Sequence, residues 1–213
     1  MRIAVIGTGM VGRTLGDGLA KVGHDVVVGT RDPARTRARD EWGATSLSLA
    51  SYGQIGVGAD LFINATSGDA SLEALQAVGD EALAGKVLID VSNALDRSSG
   101  FPPTLFVCNT DSLAEQLQRA FPRTNVVKAF NTMTAAVMVN PGAVGGGDTT
   151  VFVAGNDADA RATVAAVATD LGWTDVIDLG DLTAARGLEM WVSLWLRLLM
   201  ALGGPMFNIK VVR

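Results

Sequence analysis

Gly7-Thr8-Gly9-Met10-Val11-Gly12 is the stretch that decides the fold of this chain. A Gly-x-Gly-x-x-Gly pattern alone is weak; its surroundings give it meaning. It follows Ile3-Ala4-Val5-Ile6, a short and largely β-branched run suited to a strand buried on both faces. It opens a segment with Val11, Leu15, Leu19 and Val22 at helical spacing. Strand, glycine turn and helix in that order form the first unit of a dinucleotide-binding sheet. Gly7 permits the tight turn, Gly9 lets the backbone approach a pyrophosphate, and Gly12 lets helix and strand pack closely. Thr8, Met10 and Val11 lie on the same turn, where the free N–H groups and partial positive charge of the helix favour phosphate.

Working outward, Val26-Val27-Val28 reads as a second buried strand, and its end selects the dinucleotide. An unphosphorylated adenosine ribose calls for Asp or Glu there. This chain instead has Gly29-Thr30-Arg31, with Arg35 one helical turn later. A guanidinium fork and a hydroxyl suit a 2′-phosphate. Asp32-Pro33 reads as a helix cap followed by proline at the first helical position, so Asp32 is not taken as a ribose ligand. The expected cofactor is therefore NADP.

The alternation continues. Strands are expected at 61–63, 87–89, 125–130, 151–153 and 175–179, and helices from 33 to about 42 and at 71–78, 112–121 and 157–171. This is an α/β chain: a Rossmann-like, doubly wound, mostly parallel sheet. Its 213 residues read as a single domain, with a dinucleotide-binding core at 1–139 and a C-terminal α/β extension at 149–213. Between them, residues 140–148 carry Pro141 and four glycines and read as a mobile loop. The last helix, 183–202, is apolar almost all round, interrupted by Arg186, Glu189 and Arg197. Such a helix is expected to be buried on all sides, capping the sheet edge, contacting a second copy or walling a flat apolar pocket. The tail Phe207 to Val212 has the pattern of a short strand.

Ligands of open α/β sheets bind beyond the carboxyl ends of the strands. Ala65-Thr66-Ser67, Ser92-Asn93, Ala129 and Asn131 lie at those ends and are assigned to the dinucleotide path, with Asn131 near the nicotinamide. Acid–base chemistry is scarce there. The single histidine, His24, precedes the second strand, at the opposite end of the sheet. Tyr52 is the lone tyrosine, without a Tyr-x-x-x-Lys pair, and Lys128 is the one lysine placed for the crevice, with a surface or ion-paired role as the more ordinary reading. No catalytic residue is assigned. A hydride-carrier site with little proton machinery fits transfer between two redox cofactors, where the protein's task is positioning.

One cysteine, Cys108, and one histidine leave no basis for a His/Cys metal site or an internal disulfide. A net charge of −5 disfavours nucleic acid. The N-terminal apolar run is too short for a signal-peptide core, and no stretch comfortably spans a bilayer. A cytoplasmic protein with no membrane or nucleic-acid partner is expected.

With these residues in view, the chain resembles the NADP-dependent oxidoreductases that use the deazaflavin coenzyme F420. The resemblance runs over nearly the whole chain. It is carried by the glycine turn, Val28-Gly29-Thr30-Arg31-Asp32, Val126 to Thr132, Ala185-Arg186-Gly187-Leu188-Glu189 and Phe207 to Val212. The NADPH-binding domain of transmembrane ferric reductases is similar too. The resemblance implies hydride exchange between NADP(H) and F420, with the deazaflavin against the C-terminal helix and Asn131-Thr132-Met133, in a homodimer. Two differences are visible: archaeal members have an extra glycine in the first turn and a histidine near the position of Asn131. Reduction of a flavin, a ferric chelate or an imine is the alternative enzymatic reading, and an NADPH-sensing module without turnover is the non-enzymatic one.

Overall fold

The computed structural model describes residues 1–213. Strand β1 (Arg2–Ile6) enters the glycine turn and helix α1 (Met10–Lys21), and β2 (Asp25–Thr30) returns parallel to it with Ile3 opposite Val26. Next come α2 (Pro33–Arg37), α3 (Asp40–Gly43), β3 (Ser48–Ser51), α4 (Tyr52–Ile55) and β4 (Leu61–Asn64). The chain proceeds through α5 (Ser71–Val78), α6 (Asp80–Leu83) and β5 (Val87–Asp90) to a small hairpin, β6 (Leu95–Asp96) and β7 (Thr104–Leu105). Then follow α7 (Leu113–Ala120), β8 (Asn125–Ala129), α8 (Ala135–Met138), β9 (Val151–Gly155), α9 (Ala158–Asp170), β10 (Val176–Asp178) and α10 (Ala185–Leu202).

Eight strands form one sheet in the order β3-β2-β1-β4-β5-β8-β9-β10. The first six are mutually parallel; β9 is antiparallel to β8, and β10 parallel to β9. Strand order reverses between β1 and β4, so a crevice opens there at the carboxyl ends. Alternate residues of each strand face opposite sides of the sheet. Ile3, Val5, Val26 and Val28 pack with α1 and α9 on one face. Ala4, Ile6, Phe62 and Leu88 pack with α5 and α7 on the other. Burial on both faces explains why these strands are continuous apolar runs.

Several segments depart from expectation or add detail to it. The helix expected from Pro33 to about Trp42 ends at Ala38 and restarts after Arg39, whose extended backbone (φ −79°, ψ 141°) caps α3. β3 was not expected, because Ser48-Leu49-Ala50-Ser51 sits on the sheet edge and lacks a continuous apolar face. Residues 140–148 contain two 3-10 turns, Pro141–Ala143 and Gly145–Gly147. The tail forms no strand, although Thr150 N–H donates to Ile209 O at 2.8 Å and Val211 N–H to Thr150 Oγ1 at 3.0 Å.

Within one chain α10 is buried along one side only. Leu188, Glu189, Val192 and Leu196 are buried against the domain, whereas Leu194 and Leu202 are 52% and 63% exposed. Met190 and Met200 are exposed on the outer side too.

Candidate functional site

The three glycines of the turn have separable causes. Gly7 has φ +117°, and a Cβ there would sit 2.6 Å from Ala65 O. A Cβ on Gly12 would run into the carbonyl of Gly7. The chain's own packing demands both. Around Gly9 a Cβ would meet nothing within 4 Å, so the chain's own packing does not require glycine there. Gly9 is also the N-cap of α1 and supplies no side-chain cap, which leaves the first-turn N–H groups free for an anion.

Beyond β2 lies a cavity of about 520 Å³ walled by Thr8, Thr30, Arg31, Arg35, Arg39 and Tyr52. Local chemistry puts the arginines there. Asp32 Oδ1 accepts the Arg35 N–H at 2.9 Å and Pro33 starts the helix, so α2 begins immediately and presents Arg35 to the cavity. Asp32 is thus engaged as a helix cap. Thr30 is 6% exposed, and its hydroxyl lies 2.7 Å from that of Thr36. The guanidinium groups of Arg31 and Arg35 have no ion pair or hydrogen bond within the chain. Arg39 was missed at the level of sequence: its Nη2 donates to Thr8 O at 3.4 Å, beside Trp42 Nε1 at 3.1 Å. The four-residue spacing of Arg31, Arg35 and Arg39 was the available signal.

Arg31 and Tyr52 also border a narrow slot of about 120 Å³ lined by Thr66, Ala70, Ala74 and Ala77, with Glu73 beside it. Burial lifts the Tyr52 hydroxyl above the usual tyrosine pKa; Glu73 adds to the rise and Arg31 opposes it.

From the glycine turn a groove of about 280 Å³ runs across the switch point. It brings together Gly9, Met10 and Val11 with Ala65, Thr66 and Ser67 after β4, and with Ser92 and Asn93 after β5. A buried polar mesh fixes these ends. Asn64 Nδ2 donates to Asp90 Oδ1 at 2.9 Å, Ser92 Oγ to the same oxygen at 2.7 Å, and Thr66 Oγ1 to Asn64 Oδ1 at 2.7 Å.

At the end of β8, Phe130 is held at φ +61°, a left-handed conformation rare outside glycine and costly for a bulky residue. This bend brings Asn131 to Asn93, and the two amides bridge the β5 and β8 ends: Asn131 Nδ2 to Asn93 Oδ1 at 3.0 Å, Asn93 Nδ2 to Asn131 O at 3.1 Å. Asn131 Nδ2 also donates to Leu188 O of α10 at 2.8 Å, leaving Asn131 Oδ1 buried without a partner. Thr132 is pinned to the same helix by Trp191 Nε1 at 3.0 Å, and its buried hydroxyl also lacks a partner. Ala129 and Met133 lie in the main core cluster rather than on a cavity wall.

Lys128 is not a crevice group. It is fully buried, with Nζ 2.8 Å from Asp90 Oδ2, 2.9 Å from Glu189 Oε1 and 2.6 Å from Ser92 O. Glu189 in turn accepts the Leu113 and Ala114 N–H groups at the start of α7, at 2.8 and 3.1 Å. Burial pulls the lysine pKa down, but the two carboxylates outweigh it and hold Lys128 above its usual value. The cluster ties α10 to the sheet beneath the crevice. His24 lies before β2, away from the crevice, with Nε2 3.2 Å from Asp170 Oδ2. No group of three or more His, Cys, Asp or Glu residues is placed to hold a metal ion, and no helix is long and apolar enough to cross a membrane.

A protein from Arthrobacter sp. FB24 classed provisionally as an F420-dependent NADP reductase is 53% identical, with full coverage of both chains and a TM-score of 0.96. Metalloreductase STEAP3 of Rattus norvegicus is 32% identical over 189 residues, 88% of this chain, and the F420-dependent NADP reductase of Methanocaldococcus jannaschii is 31% identical over 113 residues. Those 113 residues are 51% of this chain and 48% of the archaeal protein. The chain spans only 36% of the length of the metalloreductase. The profile of the family described as "NADP oxidoreductase coenzyme F420-dependent" matches residues 2–94. The fold, the glycine turn and the full-length relative together mean that the chain belongs to this family of NADP oxidoreductases.

Proposed function

We propose that the protein transfers hydride between NADP(H) and coenzyme F420. The observation that carries the NADP part is the cavity beyond β2, where Arg31 and Arg35 stand without internal partners beside the Thr30 hydroxyl. A 2′-phosphate supplies the charge that these groups lack. The residues present fit the adenosine and pyrophosphate parts of the dinucleotide. The open space at Gly9 and the free N–H groups of α1 suit the pyrophosphate, while Asn131 is buried behind the groove and reaches it through Asn93.

When bound, the nicotinamide supplies the carbon that carries hydride. The chain's part is to hold and orient. Asn93 and Asn131 lock the β5 and β8 ends together, and Lys128 and Glu189 fix α10 behind them. The absence of His, Tyr or free Lys in the groove supports a second redox cofactor, rather than a carbonyl compound needing a proton donor, as the partner. Family membership favours F420 for that role. The STEAP3 similarity supports reduction of a flavin or ferric chelate as a second reading. The protein is read as cytoplasmic.

The outer face of α10, with Leu194, Leu202, Met190 and Met200 exposed, is assigned to a second copy of the chain. An uncovered apolar face of this kind is usual at a subunit contact. Light scattering at working concentration should give the mass of a dimer; a monomeric mass removes that assignment. The functional reading is tested by mixing reduced F420 with NADP and protein and following the deazaflavin absorbance. Rapid oxidation is expected. Turnover only with flavin or iron supports the second reading, and tight NADPH binding without any turnover indicates a sensor.

A further inference from the structure

Glu73 is left unexplained by the phosphates of the dinucleotide. It stands in the first turn of α5, exposed, and its carboxylate has no ion pair or hydrogen bond within the chain. With Arg31 it lines the narrow slot of about 120 Å³, yet these two opposite charges form no ion pair. Both act on the half-buried Tyr52 hydroxyl, Arg31 lowering its pKa and Glu73 raising it. Cation and anion thus share the slot without closing it.

The walls suit a flat ring. Ala70, Ala74 and Ala77 run at helical spacing along α5 and the turn that enters it, so their methyl groups share one face and leave room beside it. Tyr52 adds an aromatic wall. It lies against the end of β2 because residue 29 is glycine: a Cβ there would stand 3.2 Å from Tyr52 Cδ1. Shared walls place the slot on the path of the dinucleotide. Arg31 and Tyr52 also border the cavity assigned to the 2′-phosphate, and Thr66 also borders the groove assigned to the pyrophosphate. The adenosine ribose joins those two groups, and its base leaves from the carbon next to the 2′ position. Glu73 borders neither the cavity nor the groove, so it opposes no phosphate.

We propose that the slot takes the adenine ring and that the Glu73 carboxylate accepts a hydrogen bond from its 6-amino group, which makes the chain selective for a 6-amino purine dinucleotide. The proposal rests on the NADP part of the reading above and not on F420. An ionised carboxylate only accepts hydrogen bonds, so it favours an amine on the ring and gains nothing from a hydrogen in its place. Arg31 belongs to the 2′-phosphate in this arrangement, which leaves Glu73 as the charge that reads the base.

The test is a binding titration of NADP against the same dinucleotide with unsubstituted purine in place of adenine, which lacks only the 6-amino group. Wild type, Glu73→Gln, Glu73→Ala and Arg31→Ala are compared. Wild type should bind NADP about tenfold more tightly than the purine form, the lower end for a hydrogen bond to a charged group because Glu73 is exposed. Glu73→Ala should bind both forms equally, with the purine form at its wild-type affinity. Glu73→Gln, whose amide oxygen still accepts, should keep part of the preference. Arg31→Ala should weaken both forms alike and leave their ratio standing. Equal affinities in wild type overturn the proposal, as does a preference that survives Glu73→Ala. A loss for both forms alike in Glu73→Ala makes Glu73 a wall and not a reader of the base, and overturns it too, leaving the NADP reading intact. Failure of wild type to bind either form removes the NADP reading and this proposal with it.

Discussion

Replacing Arg31 by alanine tests how the chain distinguishes the phosphorylated dinucleotide. Arg31 has no partner in the protein, so its removal strands no buried carboxylate and opens no core cavity; the loss is confined to the ligand. A hydrogen bond to a charged group is worth about 1.5–3 kcal/mol, or roughly ten- to a hundredfold in affinity. Solvent exposure of Arg31 and the presence of Arg35 in the same cavity put the expected loss of NADP affinity near the lower end, about tenfold. Arg31→Ala/Arg35→Ala should lose about a hundredfold if the two forks act separately. NAD, which has nothing to offer these groups, should bind both variants as it binds wild type. Arg39→Ala should differ from both, because Arg39 also donates to Thr8 O in the glycine turn, so NAD affinity falls too. Isothermal titration with NADP and NAD separates these patterns. An equal loss of both dinucleotides in Arg31→Ala would falsify the 2′-phosphate assignment.

Three further outcomes are expected. Gly9→Ala should leave thermal stability unchanged or slightly lowered, since its Cβ meets nothing and its φ of −74° suits alanine but alanine is the poorer N-cap, and it should weaken NADP; Gly12→Ala should lower the melting temperature much more through its clash with Gly7 O. Lys128→Met leaves Asp90 and Glu189 buried without their cation and should cost about 3–5 kcal/mol, whereas Glu189→Gln, which keeps the Lys128–Asp90 pair, should cost less; denaturant melts check the order. Asp175 is held down to about 2 by the Thr150 hydroxyl, Arg213 and Lys210, so its contribution is present above the ordinary aspartate value of 3.8 and lost as pH falls from there towards about 2. Tryptophan fluorescence should report release of the tail across that window through the Trp195–Phe207 stack, and Asp175→Asn should abolish the transition.

The parts of the fold legible in the sequence are those set by local chemistry. Val26-Val27-Val28 and Ile3 to Ile6 are buried on both faces, so their composition alone marks them as strands. Asp32-Pro33 caps α2 because side chain and ring act within one turn. β3 escaped notice because an edge strand with serines at both ends carries no continuous apolar run. At the site, Thr30, Arg31 and Arg35 were readable because adjacent residues build that cavity. Asn131 was assigned to the nicotinamide end, but its amide bridge to Asn93, 38 residues away, was not visible. Glu189 stood out only as an interruption in an apolar helix. Its partner Lys128 lies on a different element, and no periodicity links two such residues. α10 was expected to be buried all round; a single chain covers one face, and the sequence does not distinguish domain interior from subunit contact.

The most direct measurement of the central claim follows the hydride itself. Reduced F420 carrying deuterium at both positions of its hydride-donating carbon is mixed with NADP and the protein, and the NADPH formed is analysed by mass spectrometry. Direct transfer within the groove predicts NADPH that has gained one deuterium. Unlabelled NADPH, or no NADPH at all while the protein binds NADP tightly, contradicts the account.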